Sequence, residues 1–516
     1  MVADARRSSV RCMALPKVCG IETEYGIVVR GADNNPVSAS SLLINSYLAA
    51  VARERNRADQ ARVGWDFEDE QPANDARGYS LDPTLAPEVE TTLVNAVLTN
   101  GARFYVDHAH PEISTPEVRT AREALVWDRA ADEIVRAAMV AARDMLPDNA
   151  EIIIHKNNSD GKGNSYGCHE NYLLARETPF GRLARQVTPH FVTRQVFTGA
   201  GKVGCEVPGR PHDDIGYQLS QRADFFEEEI GLETTLKRPI VNTRDEPHAD
   251  AQKYRRLHVI VGDANMSEVA TYLKVGTTAI VLSMIEDDEL GDDWVLGHPV
   301  PAIRQISHDP TLTQTVQLAD GRRVTGLEIQ WGLLERAQKY EQSHGLESVG
   351  VEVGADVLER WEAVLAGLER DPDSVAHQVD WVAKRRLVTG YQERHGLESG
   401  SPKLKAIDLQ YHDMRVDRCL ALRAGLETLV DGNAARAAMT EPPTSTRAYF
   451  RGRCLDKFAT DIVAANWDSL VFDIGRDPLR RVPMMEPLRG TADHVATLID
   501  ESETARILLD RLGETN

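Results

Sequence analysis

The stretch RFYVDHAHPEIS, residues 103–114, restricts the folds open to this chain more than any other. Successive side chains of a β-strand point to opposite faces, so Arg103, Tyr105 and Asp107 fall on one face and Phe104 and Val106 on the other. One face must pack on a core while the other meets solvent or ligand. The segment GIETEYGIVV, 20–29, repeats the design. Read as one strand, it sets Glu22 and Glu24 on one face, about 7 Å apart at strand rise, with Ile21, Thr23 and Tyr25 opposite. RRLHVIVGDAN, 255–265, opposes Arg256 and His258 to Arg255, Leu257, Val259 and Val261, and EIIIHKNN (151–158) and HENYLLAR (169–176) read as strands around the turn SDGKGNSYG.

Helical periodicity fills the intervals. SASSLLINSYLAAVARERNRA reads as a helix capped by serine, and residues 115–146 as a long helix whose apolar stripe is Trp127, Ala131, Ile134, Ala138, Ala142 and Met145. DVLERWEAVLAGLERD is helical too. Residues 54–90 are polar, charged and without periodicity, which fits a disordered linker or a functional loop equally well. At 516 residues the chain exceeds what one core usually serves. The expected division is a loose leader over 1–16, with Met13 a candidate start, a large domain over 17–430, and a small C-terminal domain over 431–516 that opens with the turn-rich EPPTSTRAYFRGRC.

Asp plus Glu number 80 against 59 Lys plus Arg, a formal charge of -21, which argues against non-specific nucleic-acid binding because phosphate neutralisation needs clustered cations. The six cysteines form no CxxC pair, so neither a zinc cluster nor a disulfide framework is expected, and a reducing cytoplasm fits best. VGTTAIVLSMI, 275–285, is too short to span a bilayer, and no signal peptide is expected.

Two glutamates on one strand face are often only a solvated surface. A second strand offering Tyr105 and Asp107, with Glu112 a turn later, makes a set of hard oxygen donors of the kind Mg2+ takes together with water and nucleotide phosphate. His108 and His110 offer the rival reading of a zinc hydrolase, but the other thirteen histidines show no second cluster in the sequence. TGAGKVG, 198–204, lacks both the first glycine and the Ser or Thr of a P-loop. Cys168 beside His169 would point to opposite faces of a strand, which argues against a thiol nucleophile.

Taken together, GIETEYGI, LTNGARFYVDHAHPE, KNNSDGKGNSYGCHENYL, TLKRPIVNTRDEPHADAQKYRRLHVIVGDANM, DLQYHDMRVD, PPTSTRAYFRG and NWDSLVFD closely resemble the Pup deamidase/depupylase family, a sister of the Pup–protein ligases. The resemblance spans nearly the whole chain after residue 17. It implies an α+β fold: the curved, largely antiparallel sheet cradle of the glutamine synthetase-like carboxylate-amine ligases, backed by helices, with a small C-terminal domain. VDHAHPE, where the ligases resemble LDVGSHPE, and the Trp65, Asp66, Glu68 and Asp75–Gly78 pattern favour the deamidase branch and make 54–90 an active-site loop. Ile113, where the family more often has tyrosine, is the one departure.

Carried over residue by residue, the resemblance implies Asp107 as the catalytic carboxylate. It implies Glu22, Glu24, Tyr105 and Glu112 as Mg2+ ligands, and Arg103, Thr115 and Trp467 as ATP contacts. The partners implied are Pup and pupylated proteins, and the reaction is hydrolysis of a γ-carboxamide. Arg194, Lys202, Lys237, Arg238 and Arg255 are candidate contacts for an acidic, disordered substrate. A ligase of the same fold and an inactive Pup-binding protein are the other function classes considered.

Overall fold

The computed structural model describes residues 14–32, 35–55, 63–68, 70–78, 93–475 and 477–514. Most of the expected leader, Met13 included, and residues 56–62, 69 and 79–90 of the expected loop lie outside the described residues.

A ten-stranded sheet organises the molecule. In chain order its strands are β1 (Cys19–Glu24), β2 (Gly64–Trp65), β3 (Asn95–Val97), β4 (Arg103–Asp107), β5 (His110–Ser114), β6 (Cys168–Ala175), β7 (Tyr254–Val259), β8 (Ile462–Ala465), β9 (Ser469–Phe472) and β10 (Arg480–Pro483). In space the order is β7-β6-β1-β5-β4-β3-β2-β8-β9-β10. Only β2 with β8 is parallel; the other pairings are antiparallel. The fold is α+β, as the resemblance implied.

Helices cover the apolar face. Phe104, Val106 and Ile113 pack with Leu43, Ile44 and Tyr47 of α1 (Pro36–Glu54) and Ile134, Val135 and Ala138 of α2 (Ala121–Ala142). A larger core joins Ile21 and Leu257 to α3 (Phe180–Thr193), α4 (Glu268–Glu286), α5 (Pro299–Ser307), α6 (Gly326–His344) and α7 (Val351–Arg370). A third gathers α8 (Ala448–Lys457), β8 and β9 with Ile499, Leu508 and Leu509. The strands of this C-terminal region continue the main sheet through β2.

Several local expectations are corrected. The segment 20–29 is two strands: at Tyr25, fully buried with its hydroxyl donating to Asp132 at 3.2 Å, the chain leaves the main sheet and Gly26–Arg30 pairs with Glu151–His155. Asn35, not serine, caps α1, accepting from Ser38 N at 3.1 Å ahead of Pro36. Residues 115–118 stay extended because Thr115 N and Val118 N donate to Ile21 and Cys19, so α2 begins after the Thr120 cap. Its stripe ends at Ala142, and Met145 is 67% exposed. The turn-rich EPPTSTRAYFRGRC runs into α8. The apolar run at 275–285 is the C-terminal part of a 19-residue helix, α4, long and apolar enough to cross a membrane, whose apolar window lies wholly inside the protein.

Candidate active site

Strand register turns the alternating polar residues into rows. Side chains directly opposite on antiparallel strands lie about 4.5–5.5 Å apart at Cβ. Glu22 stands between His169 of β6 and Ser114 of β5, and Ser114 faces Arg103 of β4. The next row is Glu24, Glu112, Tyr105 and Asn95. Asp107 faces His110 across a two-residue turn in which His108 takes the left-handed conformation, φ 52°. On β4, Phe104 and Val106 are buried while Arg103, Tyr105 and Asp107 open into a cleft of about 310 Å3, as the alternation predicts.

Glu24, Asp107 and Glu112 each bring a carboxylate oxygen within 4.8 Å of the others. Burial, and then the charges of Asp107, Glu24 and Glu22, hold the Glu112 carboxyl well above the usual range. Burial pushes Asp107 up as well, but the His108 hydrogen bond at 2.8 Å and the charge of His108, His169 and Arg103 outweigh it, and Asp107 stays below the usual range. Burial likewise opposes ionisation of Glu22, and the His169 contact with the charge of His258 and Arg256 reverses that. Tyr105 is held well above the ordinary phenol range by burial and by Glu112, so it stays protonated.

A hydrogen-bonded frame fixes Glu22: Asn171 donates to it at 2.8 Å, and Arg256 and His258 converge on Asn171 Oδ1 at 2.8 and 3.1 Å. Glu24 accepts from Gly167 N at 2.9 Å. The Arg103 guanidinium lies 4.0 Å from the Trp65 ring and 4.1 Å from the Tyr105 ring, donates to Asn95 at 2.9 Å and faces Glu70 at 3.6 Å. Trp467 meets Trp65 edge to face at 5.3 Å. Beside the cleft, an apolar hollow of about 90 Å3 is lined by Ile21, Tyr172, Pro247, Pro487, Thr115 and Trp467, and shares Glu22, His248 and Arg256 with it. The Thr115 hydroxyl accepts from Ile21 N at 3.0 Å.

Of the eight residues singled out from the sequence, seven line two adjoining spaces and the eighth, Glu24, meets two of them. Glu22, Arg103, Tyr105, Asp107, Glu112 and Trp467 line the cleft, Thr115 lines the hollow, and Glu24 meets Asp107 and Glu112. Arg256 and His258, expected on one polar face, do reach Glu22. Sequence reasoning missed His169, Asn171, Glu70, Arg244, Glu246 and His248. The period of two in HENYLLAR marked His169 and Asn171 as one face, but nothing in the sequence said which face met Glu22. His169 and His258, 89 positions apart in the sequence, sit with ring centroids 5.0 Å apart and form with Glu22 the second cluster that the histidine spacing did not show. Burial, partly offset by Glu246 and reinforced by Arg256, pushes His248 down to about 4, and burial holds His258 well below its usual range, so both are neutral.

Other expectations part. Cys168 is buried against Thr23 while His169 faces the cleft, as strand geometry requires. His108 engages Asp107 and His110 faces Glu24 at 3.7 Å, so each histidine serves a different carboxylate. Of the five candidate basic contacts, Arg194, Lys202 and Arg255 are buried in ion pairs with Glu170, Glu206 and Asp245. Arg238 is half-buried, donating to Ser165 O and Thr234 O, and Lys237 is exposed. Basic residues flanked by apolar strands had to find internal partners. Three described residues of the 54–90 segment, Phe67, Glu70 and Pro72, line the cleft, and Arg481 of β10 holds Asp66 and Glu68.

Residues 17–471 match the protein-family model described as Pup-ligase protein. The chain is 53% identical, over 96% of its length and 99% of the relative's, to a protein named depupylase from Acidothermus cellulolyticus. It is 46% identical, with the same coverage of both, to the Pup deamidase/depupylase of Mycobacterium tuberculosis. Among solved structures, the complex of Pup with its ligase PafA aligns with a TM-score of 0.77 at 32% identity, covering 94% of this chain and 91% of that one. The Pup ligase PafA in complex with ADP aligns with a TM-score of 0.71 at 36% identity, covering 79% and 89%.

Proposed function

The chain belongs to the Pup-ligase protein family, and from that membership we propose that it is an ATP- and Mg2+-dependent amidohydrolase of the Pup–proteasome pathway. It converts the C-terminal glutamine of Pup to glutamate and cleaves the isopeptide bond joining Pup to a target lysine. Both bonds are γ-carboxamides, so one site serves both. The observation that carries this reading is identity of 46–53% across 96% of the chain with proteins named for those activities. The two ligase structures share 32% and 36%, which ranks a ligase second. A cytoplasmic setting fits the five described cysteines, all buried and unpaired.

The donor set suits the proposed cofactors. The Glu112 carboxyl, held above its usual range by burial and by Asp107, Glu24 and Glu22, is relieved by a divalent cation, and hard oxygens are what Mg2+ prefers. Glu22, Glu24, Tyr105 and Glu112 would hold it, and it would supply polarisation of the scissile carbonyl. Nε of Arg244 and of Arg256 are buried without a hydrogen-bond partner among the described residues, and both arginines line the cleft. Unsatisfied guanidinium donors fit phosphate, and the apolar hollow beside them fits a base. Arg103, Thr115 and Trp467 are the proposed ATP contacts, with ATP completing the metal's shell.

Asp107 does the chemistry. Ionised at neutral pH, it needs no activating base. Its carboxylate attacks the γ-carbonyl carbon, the C–N bond breaks, and the nitrogen leaves after gaining a proton. Water then splits the mixed anhydride, giving glutamate and free Asp107, so one water is consumed per bond. Arg103 steadies the oxyanion from the same strand face. A water oriented by Asp107 is the competing route.

Mass spectrometry of glutamine-ended Pup with this protein, Mg2+ and ATP is the test. Conversion of the amide to the acid, reduced more than about 1,000-fold in Asp107→Asn, supports the proposal. ADP release coupled to conjugation of glutamate-ended Pup to a lysine-bearing protein, without amide hydrolysis, would move the reading to the ligase. In 18O water, a single turnover that leaves Asp107 unlabelled counts against direct attack.

A further inference from the structure

Away from the cleft, the geometry points to a second metal centre: Cys205, Asp224 and His308 form a preassembled three-donor site for a zinc-class divalent cation. One ligand atom from each lies within 4.8 Å of those from the other two. Zinc bonds of about 2.3 Å to sulfur and about 2.0–2.1 Å to nitrogen and oxygen place tetrahedral donors roughly 3.3–3.7 Å apart. Closing the set takes side-chain adjustments on the order of 1 Å.

The donors come from three separate elements. Cys205 follows the short strand Lys202–Val203, Asp224 sits in the 3-10 turn Ala223–Phe225, and His308 ends α5. Cys205 and Asp224 are each 1% exposed. Neighbours outside the trio aim two of the three donors, Asp224 and Cys205. Asp224 Oδ2 accepts from Gln218 Nε2 and Glu206 N, both at 2.8 Å, which leaves Oδ1 facing His308 Nε2 at 2.7 Å. Gln218 is itself held by Ser307 Oγ at 2.9 Å, and Val207 N donates to Cys205 Sγ at 3.4 Å. Oriented ligands with their own hydrogen-bond partners are the mark of a metal site rather than of a chance cluster.

Charge and access agree. A thiolate and a carboxylate neutralise a divalent cation, and the adjacent Lys202–Glu206 pair cancels itself. Binding moves the proton that His308 Nε2 shares with Asp224 to Nδ1 and releases the Cys205 proton to solvent. A cavity of about 320 Å3, lined by Cys205, Glu206 and His212 among others, reaches the site from the Cys205 side and offers an entry path. A hydrogen bond between Asp224 and His308 accounts for those two residues but not for the sulfur converging on them. The sequence offered no such site, because its three ligands lie at positions 205, 224 and 308 with no repeat between them.

Cobalt(II), added to the full chain after chelator treatment, tests this, because a thiolate-to-cobalt charge-transfer band in the near ultraviolet reports sulfur ligation and is blind to cobalt in the carboxylate cleft. The expected result is a saturable band, displaced by Zn2+, absent in Cys205→Ser and retained in Cys168→Ser. No band in the wild type, or an undiminished band in Cys205→Ser, overturns the site. Circular dichroism checks folding. Should Cys205→Ser not fold, His308→Gln decides: cobalt affinity weakened more than about ten-fold supports the site, since even an orienting neighbour is worth that much, and unchanged affinity overturns it.

Discussion

Three carboxylates, Glu24, Asp107 and Glu112, converge on one point, and the field there separates their roles. Asp107 stands at the turn, where the His108 contact and nearby cations keep it ionised, while Glu112, deeper and facing three anions, holds its proton more tightly. Arg103 shows how one residue can be over-determined: two aromatic faces, an Asn95 hydrogen bond and Glu70 fix its plane. Lysine cannot stack or fork in this way. Arg103→Lys is therefore expected to weaken ATP binding about ten-fold, matching the roughly 1–2 kcal/mol of a desolvated stacked cation, with little change in melting temperature; calorimetric titration with ATP checks it. These residues were legible in the sequence because their spacing of two places them on one strand face. Their partners His169, Asn171 and His248 were not, because each comes from a segment whose register with β1 or β4 no local pattern encodes.

Among the elements, β1 depends on an early end. Gly26 passes so close to Tyr166 and Asn157 that an added Cβ would lie 2.8 Å from Asn157 Oδ1 and closer still to the Tyr166 hydroxyl. Gly26→Ala is expected to lower stability by about 1–3 kcal/mol, the usual cost of overpacking, read as a shifted urea midpoint with unchanged slope. Nothing in the alternation of 20–29 marks a break at Tyr25, which is set by its burial in the core shared with α2, where its hydroxyl meets Asp132. At the far end of the sheet, Arg481 of β10 reaches Asp66 at 2.5 Å and also binds Glu68, just beyond β2 and Trp65. Arg481→Ala should leave global stability within about 0.5 kcal/mol, as surface pairs usually do. It should lower kcat/KM for Pup deamidation several-fold because Trp65 loses its anchor beside Arg103; activity equal to wild type would deny that anchoring.

Across the whole molecule, Glu117 joins the C-terminal region to the rest. Arg451 donates to it at 2.5 and 3.0 Å and Arg447 at 2.8 Å, and Arg451 also bonds Trp467 O and Gly101 O. Burial alone would lift the Glu117 carboxyl, but the two guanidinium groups pull it down to about 2. A depressed carboxyl adds stability that is present above its unfolded value near 4.5 and lost as pH falls toward 2. Glu117→Gln should therefore cost about 3 kcal/mol at neutral pH, as breaking a buried pair does, and the gap from wild type should close between about pH 4.5 and pH 2 in urea unfolding series; a gap independent of pH would refute the pairing. The sequence by itself determined the strand faces, the helices and the family, since period, spacing and ordered motifs are properties of neighbouring residues. Tertiary structure alone decided which polar faces meet, that Arg194, Lys202 and Arg255 turn inward to buried acids, that β8–β10 extend the main sheet through β2, and that Cys205, Asp224 and His308 gather at one point. The physical reason is that a buried charge or donor must find a partner wherever the fold supplies one, and sequence distance places no limit on where that is.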